Sequence, residues 1–225
     1  MPRLMRLAAA VLLALVVAGG ALAARADHLD PQERFTSADQ ARARAMLLKR
    51  ADVSATTSRP GGSETHTTCR GLDESDLVLT GEAHTPEFQL SGHLSGLISF
   101  QSVAQVYRSA AHATASWKRA NSAAGFACLR AEFRKLGSAS GVQFYSLRRL
   151  RFPRAAQRTV AYRALYIGQP QGRPVRVYFD AIYLGHSRAL AGIFIASAVG
   201  VFEQRDEARL ARLVAGRMAK ALRTG

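Results

Sequence analysis

Between Val142 and Ala198 the apolar residues fall largely at alternate positions, and a period of two puts every second side chain of an extended strand on the same face. No helix satisfies that spacing, so this stretch predicts three or four antiparallel strands. Its clearest pair is 159–167 with 175–184, joined through Pro170-Gln171-Gly172-Arg173, where proline presets φ and glycine accepts a tight turn. A slip of one residue would move every apolar side chain to the opposite face, so the register follows from matching. Setting Val160, Tyr162, Ala164 and Tyr166 opposite Tyr183, Ala181, Phe179 and Val177 makes one face continuously apolar. The next strand, 189–198, pairs back through Gly185-His186-Ser187. On the other face the same register sets Arg163 opposite Asp180, with Gly192 the next residue across.

Helices flank this meander. At the C-terminal end, 203–222 predicts an amphipathic helix: Glu203, Asp206 and Glu207 crowd its start and Arg217, Lys220 and Arg223 its finish, as the helix dipole favours. Leu210, Leu213, Val214 and Met218 would face the sheet. Upstream, Ser102 to Gln105 has capping-box spacing. Val103, Val106, Tyr107, Ala110, Ala113 and Trp117 recur at helical period, predicting a helix from about Ser102 to Trp117. Asn121 and Ser122 end it, and a second helix carries Cys128, Leu129, Phe133 and Leu136 up to Gly137, closing a helical hairpin.

Short strands are expected at 76–80, 88–90 and 94–101. Nearer the N-terminus, Ser37 and Gln40 again show capping-box spacing, and Ala41, Ala45 and Leu48 give a weakly apolar helix to about Lys49. The polar stretch 54–68, with Pro60-Gly61-Gly62, reads as a mobile loop. The expected fold is α+β: an antiparallel β-sheet packed by a helical hairpin and a C-terminal helix.

The first residues address compartment. Arg3 and Arg6 precede an apolar run from Leu7 to Val17, and Ala21-Leu22-Ala23 offers a small-x-small cleavage pattern, the layout of a signal peptide. The run is shorter than the roughly 20 residues that span a bilayer, so no transmembrane anchor is expected after cleavage. The expected organisation is a leader over 1–23, an N-terminal helix and mobile polar loop over 24–68, and a single α+β domain over 69–225. The expected location is secreted, in the extracellular, cell-wall or periplasmic space. There the two cysteines, Cys69 and Cys128, are expected to form a disulfide, since oxidising compartments let the bond persist.

Losing Arg3 and Arg6 takes the formal net charge from +15 to +13. A field of that sign favours anionic partners. Nucleic acid is set aside because export separates the chain from it and no recognisable nucleic-acid motif is present.

Little in the sequence points to catalysis. Arg163 and Asp180 are the candidate binding residues, with two readings: a cross-strand ion pair that stabilises the sheet, or a seat for a small anionic or polar ligand beside the gap at Gly192. Tyr162, Tyr166, Tyr178, Tyr183, Phe179 and Phe194 make the sheet aromatic, which suits core packing or an apolar pocket for a hydrophobic small ligand. Trp117, on its helical stripe, reads as core. None of the six histidines has the i, i+4 spacing of a helical zinc site. Gly92-His93-Leu94-Ser95-Gly96 places its serine one position too late for a nucleophile elbow. No metal, cofactor or catalytic residue is expected.

Cys69, then Ser75-Asp76-Leu77-Val78-Leu79-Thr80-Gly81, then Ser102-Val103 through Tyr107-Arg108-Ser109-Ala110, and Trp117 to Cys128-Leu129 together resemble secreted actinobacterial domains of unknown function. More distantly the chain is similar to PknH-type extracellular sensor domains and LpqN-type lipoproteins, which share a PsbP-like sandwich. It departs from both, lacking the second disulfide common in the former and the lipobox of the latter. The resemblance implies a secreted, non-enzymatic binding or sensor-like module for a cell-envelope, hydrophobic or protein ligand. The alternative is a small extracellular hydrolase whose acids meet only in the fold.

Overall fold

The computed structural model describes residues 29–59, 69, 72–90, 97–139, 141–169 and 173–223. The expected leader, the 60–68 part of the polar loop, residues 92–96 and the turn at 170–172 lie outside the described residues.

The fold is α+β. In chain order the strands are β1 (Gln32–Glu33), β2 (Ala55–Arg59), β3 (Val78–His84), β4 (Glu87–Leu90), β5 (Ile98–Tyr107), β6 (Gln143–Arg149), β7 (Arg158–Gly168), β8 (Val175–His186) and β9 (Ala189–Ser197). The helices are α1 (Ser37–Met46), α2 (Ala110–Ala120), α3 (Ala123–Ala139) and α4 (Gln204–Arg223), with a 3-10 turn at Arg50–Val53. One sheet runs β1-β3-β5-β9-β8-β7-β6, with β4 on β5 and β2 on β4. All pairings are antiparallel except β1 with β3, so the sheet is mixed where a purely antiparallel one was expected.

The period of two sorts side chains to two helical layers. Ala161, Ile182, Leu184, Ile193 and Ile195 face one way and share a core with Ala43 and Met46 of α1 and Leu210, Val214 and Met218 of α4. Ala164, Tyr166, Val177 and Ala181 face the other way, against Phe133 of α3. Leu79 and Tyr107 pack on Ala113 of α2. The register matched from sequence is the observed one, Val160 to Tyr183 through Tyr166 to Val177, with Arg163 opposite Asp180. One detail differs: the residue across from Asp180 in β9 is Ile195, and Gly192 faces Tyr183 three positions along. No side-chain gap therefore borders the Arg163–Asp180 pair.

The helix expected from Ser102 is a correction. Residues 98–107 are strand, flanked by β3 and β4 on one side and by β9 on the other. Phe100, Ala104 and Val106 are buried in the α1/α4 core, an alternation that the helical spacing masked. The Ser102 hydroxyl caps nothing and accepts the Leu48 N–H at 2.9 Å. The helix starts only after Ser109, whose hydroxyl accepts the His112 N–H at 3.2 Å. Similar shifts hold nearer the N-terminus. Thr36, not Ser37, caps α1, accepting from Asp39 N at 3.1 Å. Part of the expected loop, Ala55–Arg59, forms β2 on β4. The strands expected at 76–80 and 94–101 are β3 and β5, and run on to His84 and Tyr107.

The N-terminal layer is tightly seated. Gly81 of β3 lies under α1 so closely that a Cβ there would sit 2.4 Å from the Asp39 carbonyl oxygen. The Asp39 carboxylate accepts from Thr80 Oγ1 at 2.6 Å and from both terminal nitrogens of Arg188 at 2.6 and 2.9 Å. Farther on, Arg217 of α4 grips Asp52 with two bonds of 2.6 and 2.9 Å and the Leu47 carbonyl with one of 2.8 Å. The Cys69–Cys128 disulfide, with Cα atoms 5.8 Å apart, ties the chain ahead of β3 to α3.

Candidate functional site

Arg163 and Asp180 do meet. Arg163 Nε donates to Asp180 Oδ1 and its Nη2 to Oδ2 at 2.9 Å. The same Nη2 donates at 2.8 Å to Oε1 of Glu207 in the first turn of α4, a third member that sequence reading placed at the helix start for its dipole. Fractional exposures are 8% for Arg163, 1% for Asp180 and 0% for Glu207. Glu207 Oε2 is the buried side-chain oxygen left without a partner among the described residues. Burial, with the Asp180 carboxylate beside it, pushes the Glu207 pKa up to about 8, and Arg163 only partly opposes this. The triad joins α4 to the sheet. Sealed this far from water it offers neither a seat to an entering ligand nor a reachable acid pair to a substrate.

The aromatic face is likewise filled. Phe133 of α3 meets Phe179 at 5.2 Å between ring centroids, Phe126 meets Tyr162 at 5.7 Å, and Tyr183 meets Phe194 at 5.9 Å. The Tyr166 hydroxyl donates to the Phe133 carbonyl at 3.0 Å. These contacts are the packing reading of the aromatic residues.

Accessible features lie along the segment linking β6 to β7. Leu150, Phe152, Ala155 and Ala156 pack on the α1/α4 core. Leu150 N–H donates to the Ala161 carbonyl at 2.8 Å, and Thr159 Oγ1 accepts from Ala155 N and Ala156 N at 3.2 and 3.0 Å. The link is thus a fixed strap, and an open cleft lies on each side of it. One, of ≈ 360 Å³, is lined by Arg151 and Pro153 of the strap and by Gln204, Arg205, Ala208 and Arg212 of α4. The other, of ≈ 350 Å³, lies toward α2 and is lined by Trp117, Asn121, Arg149, Phe152, Arg154, Gln157, Arg158 and Thr159. Each cleft carries three arginines and no carboxylate in its lining.

Trp117, expected in the core, is half-buried at the second cleft, with the Arg158 guanidinium over its ring at 5.8 Å. Arg158 is held in that pose: one terminal nitrogen donates to Thr114 Oγ1 and the other to the Ser187 carbonyl, both at 2.9 Å. Its β8 partner is Gly185, where a Cβ would lie 2.6 Å from Arg158 Nε. A side chain at 185 would push the Arg158 guanidinium out of this pose. Desolvation lowers the Arg158 pKa, with no anion acting to raise it. The strap's arginines stand in the sequence at 149, 151, 154 and 158, but no local spacing links them to Trp117, which only the fold brings beside them.

Among the described residues no group of three or more His, Cys, Asp or Glu is placed to hold a metal. No described helix is long and apolar enough to cross a membrane. No protein-family model matches the chain. No curated protein matches it in sequence either. Among solved structures it is similar to the extracellular domain of PknH from Mycobacterium tuberculosis, at 10% identity, covering 80% of this chain and 96% of that one, with a TM-score of 0.44.

Proposed function

We propose that the protein is a secreted, non-enzymatic binding module that holds an anionic component of the cell envelope against the strap between β6 and β7. The observation that carries this reading is the pair of open clefts flanking that strap, whose linings supply six guanidinium groups and no acid. Guanidinium is the side-chain group best matched to carboxylate and phosphate, through paired N–H donors. The net charge of +13 left once Arg3 and Arg6 go with the leader strengthens long-range attraction to such a surface. The Cys69–Cys128 bond and the leader-like first residues favour a location outside the cytosol. The acid pair that the described residues bring together in the core, Asp180 with Glu207, is closed to solvent, which disfavours the hydrolase alternative.

The test is fractionation from the native host, followed by sedimentation of the purified mature protein with isolated cell walls across a salt series. At about 1 M salt the screening length is only ~3 Å, so binding through these arginines is expected to disappear. Charge reversal at the two clefts, with Arg151→Glu and Arg149→Glu combined, is expected to release the protein at lower salt. Retention in the cytosol, or wall association indifferent to both salt and charge reversal, would overturn the reading.

A further inference from the structure

Resting on that reading, and naming its ligand, we infer that the cleft between α2 and the strap is a binding site for an acidic saccharide, a sugar ring carrying a carboxylate or phosphate. Two features of different chemistry meet there. The first is aromatic surface, Trp117 with Phe152 beside it. Trp117 is the chain's single tryptophan; the Arg158 guanidinium lies over its ring at 5.8 Å, and the part of the half-buried indole left uncovered in the open, polar cleft is apolar surface for the C–H face of a pyranose, with that guanidinium alongside. Tryptophan commonly holds such an interface, with one part apolar and one wet.

The second feature is uncompensated positive charge at the rim of that surface. Arg149, Arg154 and Arg158 line the same cleft with no acid among them. Arg154 is braced on the strap, donating to the Ala156 and Gln157 carbonyls at 3.3 and 3.2 Å. Arg158 is braced by Thr114, Ser187 and the glycine beneath it. Neither brace supplies negative charge. Two guanidinium groups fixed by neutral acceptors, with their charge unopposed, are preorganised for an anion that arrives from outside. Arg149 ends the edge strand β6 and is exposed, free to close on the same group. The Asn121 side chain is already used, accepting from the Tyr162 hydroxyl at 3.2 Å and donating to the Trp117 carbonyl at 2.9 Å. It thereby fixes the end of α2 that carries the indole. An unbranched anion would need only the arginines and a neutral glycan only the rings; the cleft places both within one opening.

Because Trp117 is the sole indole, its emission reports this cleft and no other. The mature protein is titrated with tetragalacturonate, with a mannose-6-phosphate oligosaccharide, with neutral mannotetraose and with sugar-free polyphosphate, while binding is followed in parallel by calorimetry. The expected result is a shift in emission on adding one or both acidic saccharides, with affinity at least tenfold above mannotetraose and polyphosphate. Which of the two binds names the anion. Arg149→Ser, at an exposed position, is expected to weaken that binding about tenfold with the circular dichroism spectrum unchanged, and Arg158→Lys to weaken it although charge is kept. Equal or tighter binding of polyphosphate overturns the saccharide assignment and leaves the anion-binding reading standing. Binding of acidic saccharides without any change in emission and unaffected by Arg149→Ser places them elsewhere and overturns this site alone. If no anion binds, both readings fail.

Discussion

Asp180 of β8 and Glu207 of α4 are held by one nitrogen of one guanidinium: Arg163 Nη2 lies 2.9 Å from Asp180 Oδ2 and 2.8 Å from Glu207 Oε1. Two carboxylates thus face a single compensating charge in an interior closed to water. Burial favours a proton on Glu207, and a hydrogen bond between its carboxyl and that of Asp180, which only a protonated acid can make, favours it further. Its folded pKa, about 8, stands above the ordinary 4.5. The protonated form therefore stabilises the fold. That contribution is fully present below about pH 4.5 and is lost as pH rises through about 8.

Chemical denaturation from pH 5 to 9 is thus expected to show stability falling toward the alkaline end, by on the order of 2–4 kcal/mol. Glu207→Gln, which mimics the protonated acid, is expected to flatten the slope and to exceed the parent in stability at pH 9. A parent profile rising over that range would show that Glu207 is ionised in the fold.

The acid side is governed by Asp39, whose carboxyl is held well below the usual range, first by Arg188 and further by Thr80 and Arg42 against the opposing effect of burial. Its sign is the reverse: the contribution is present above the unfolded value near 3.8 and is lost as pH falls through and below it. Asp39→Asn or Arg188→Gln is expected to cost about 2–3 kcal/mol at pH 7. The double variant should cost clearly less than the two losses added, because both remove one interaction. Additive losses in that cycle would mean the two residues act independently.

Gly81 and Gly216 should respond oppositely to alanine. At Gly81 the new Cβ meets the backbone of α1 at 2.4 Å, and the backbone has nowhere to yield without lifting the helix. The expected loss is about 2–3 kcal/mol, with faster hydrogen exchange across Ser37–Met46. At Gly216, exposed on α4 with nothing near its Cβ, alanine should add about 0.5–1 kcal/mol through helix propensity. Urea midpoints of both variants, with exchange measured on Gly81→Ala, check this pair.

The disulfide closes a separation of 59 residues, for which chain entropy gives a stabilisation of about 4 kcal/mol. Cys69→Ser with Cys128→Ser is expected to lose roughly that amount and to make stability indifferent to reductant. An unchanged urea midpoint would show that the sulfurs are not bonded in the native protein.

Much of the sheet was legible because its residues answer to a single period. In β7 and β8 the apolar match admits one register, and the observed pairing of Val160 with Tyr183 is that register. It also brought Arg163 to Asp180. Glu207 escaped because acidic residues in a first helical turn ordinarily answer to the dipole. Its spacing held a second signal, since it lies three, seven and eleven residues before Leu210, Val214 and Met218, all buried on the same stripe. A charge on an apolar stripe calls for a partner across the interface. The stretch 102–109 was misread for a related reason: Val103, Val106, Tyr107 and Ala110 satisfy the helical period while Phe100, Ala104 and Val106 satisfy the strand period. Local spacing cannot choose between them, and pairing on both edges of β5 decides it. The cleft at Trp117 depends on that correction as well as on Gly185, whose lack of a side chain matters only once Arg158 is known to cross it.

The grip of Arg188 on Asp39 joins residues 149 apart, and that of Arg217 on Asp52 joins residues 165 apart. These two ion pairs consequently close only once the last hairpin and the terminal helix are in place, although α1 already has Thr80 and Gly81 of β3 beneath it. Such distant contacts are slow to form, so the two pairs act as late latches, fastening an already seated N-terminal layer to the far end of the chain.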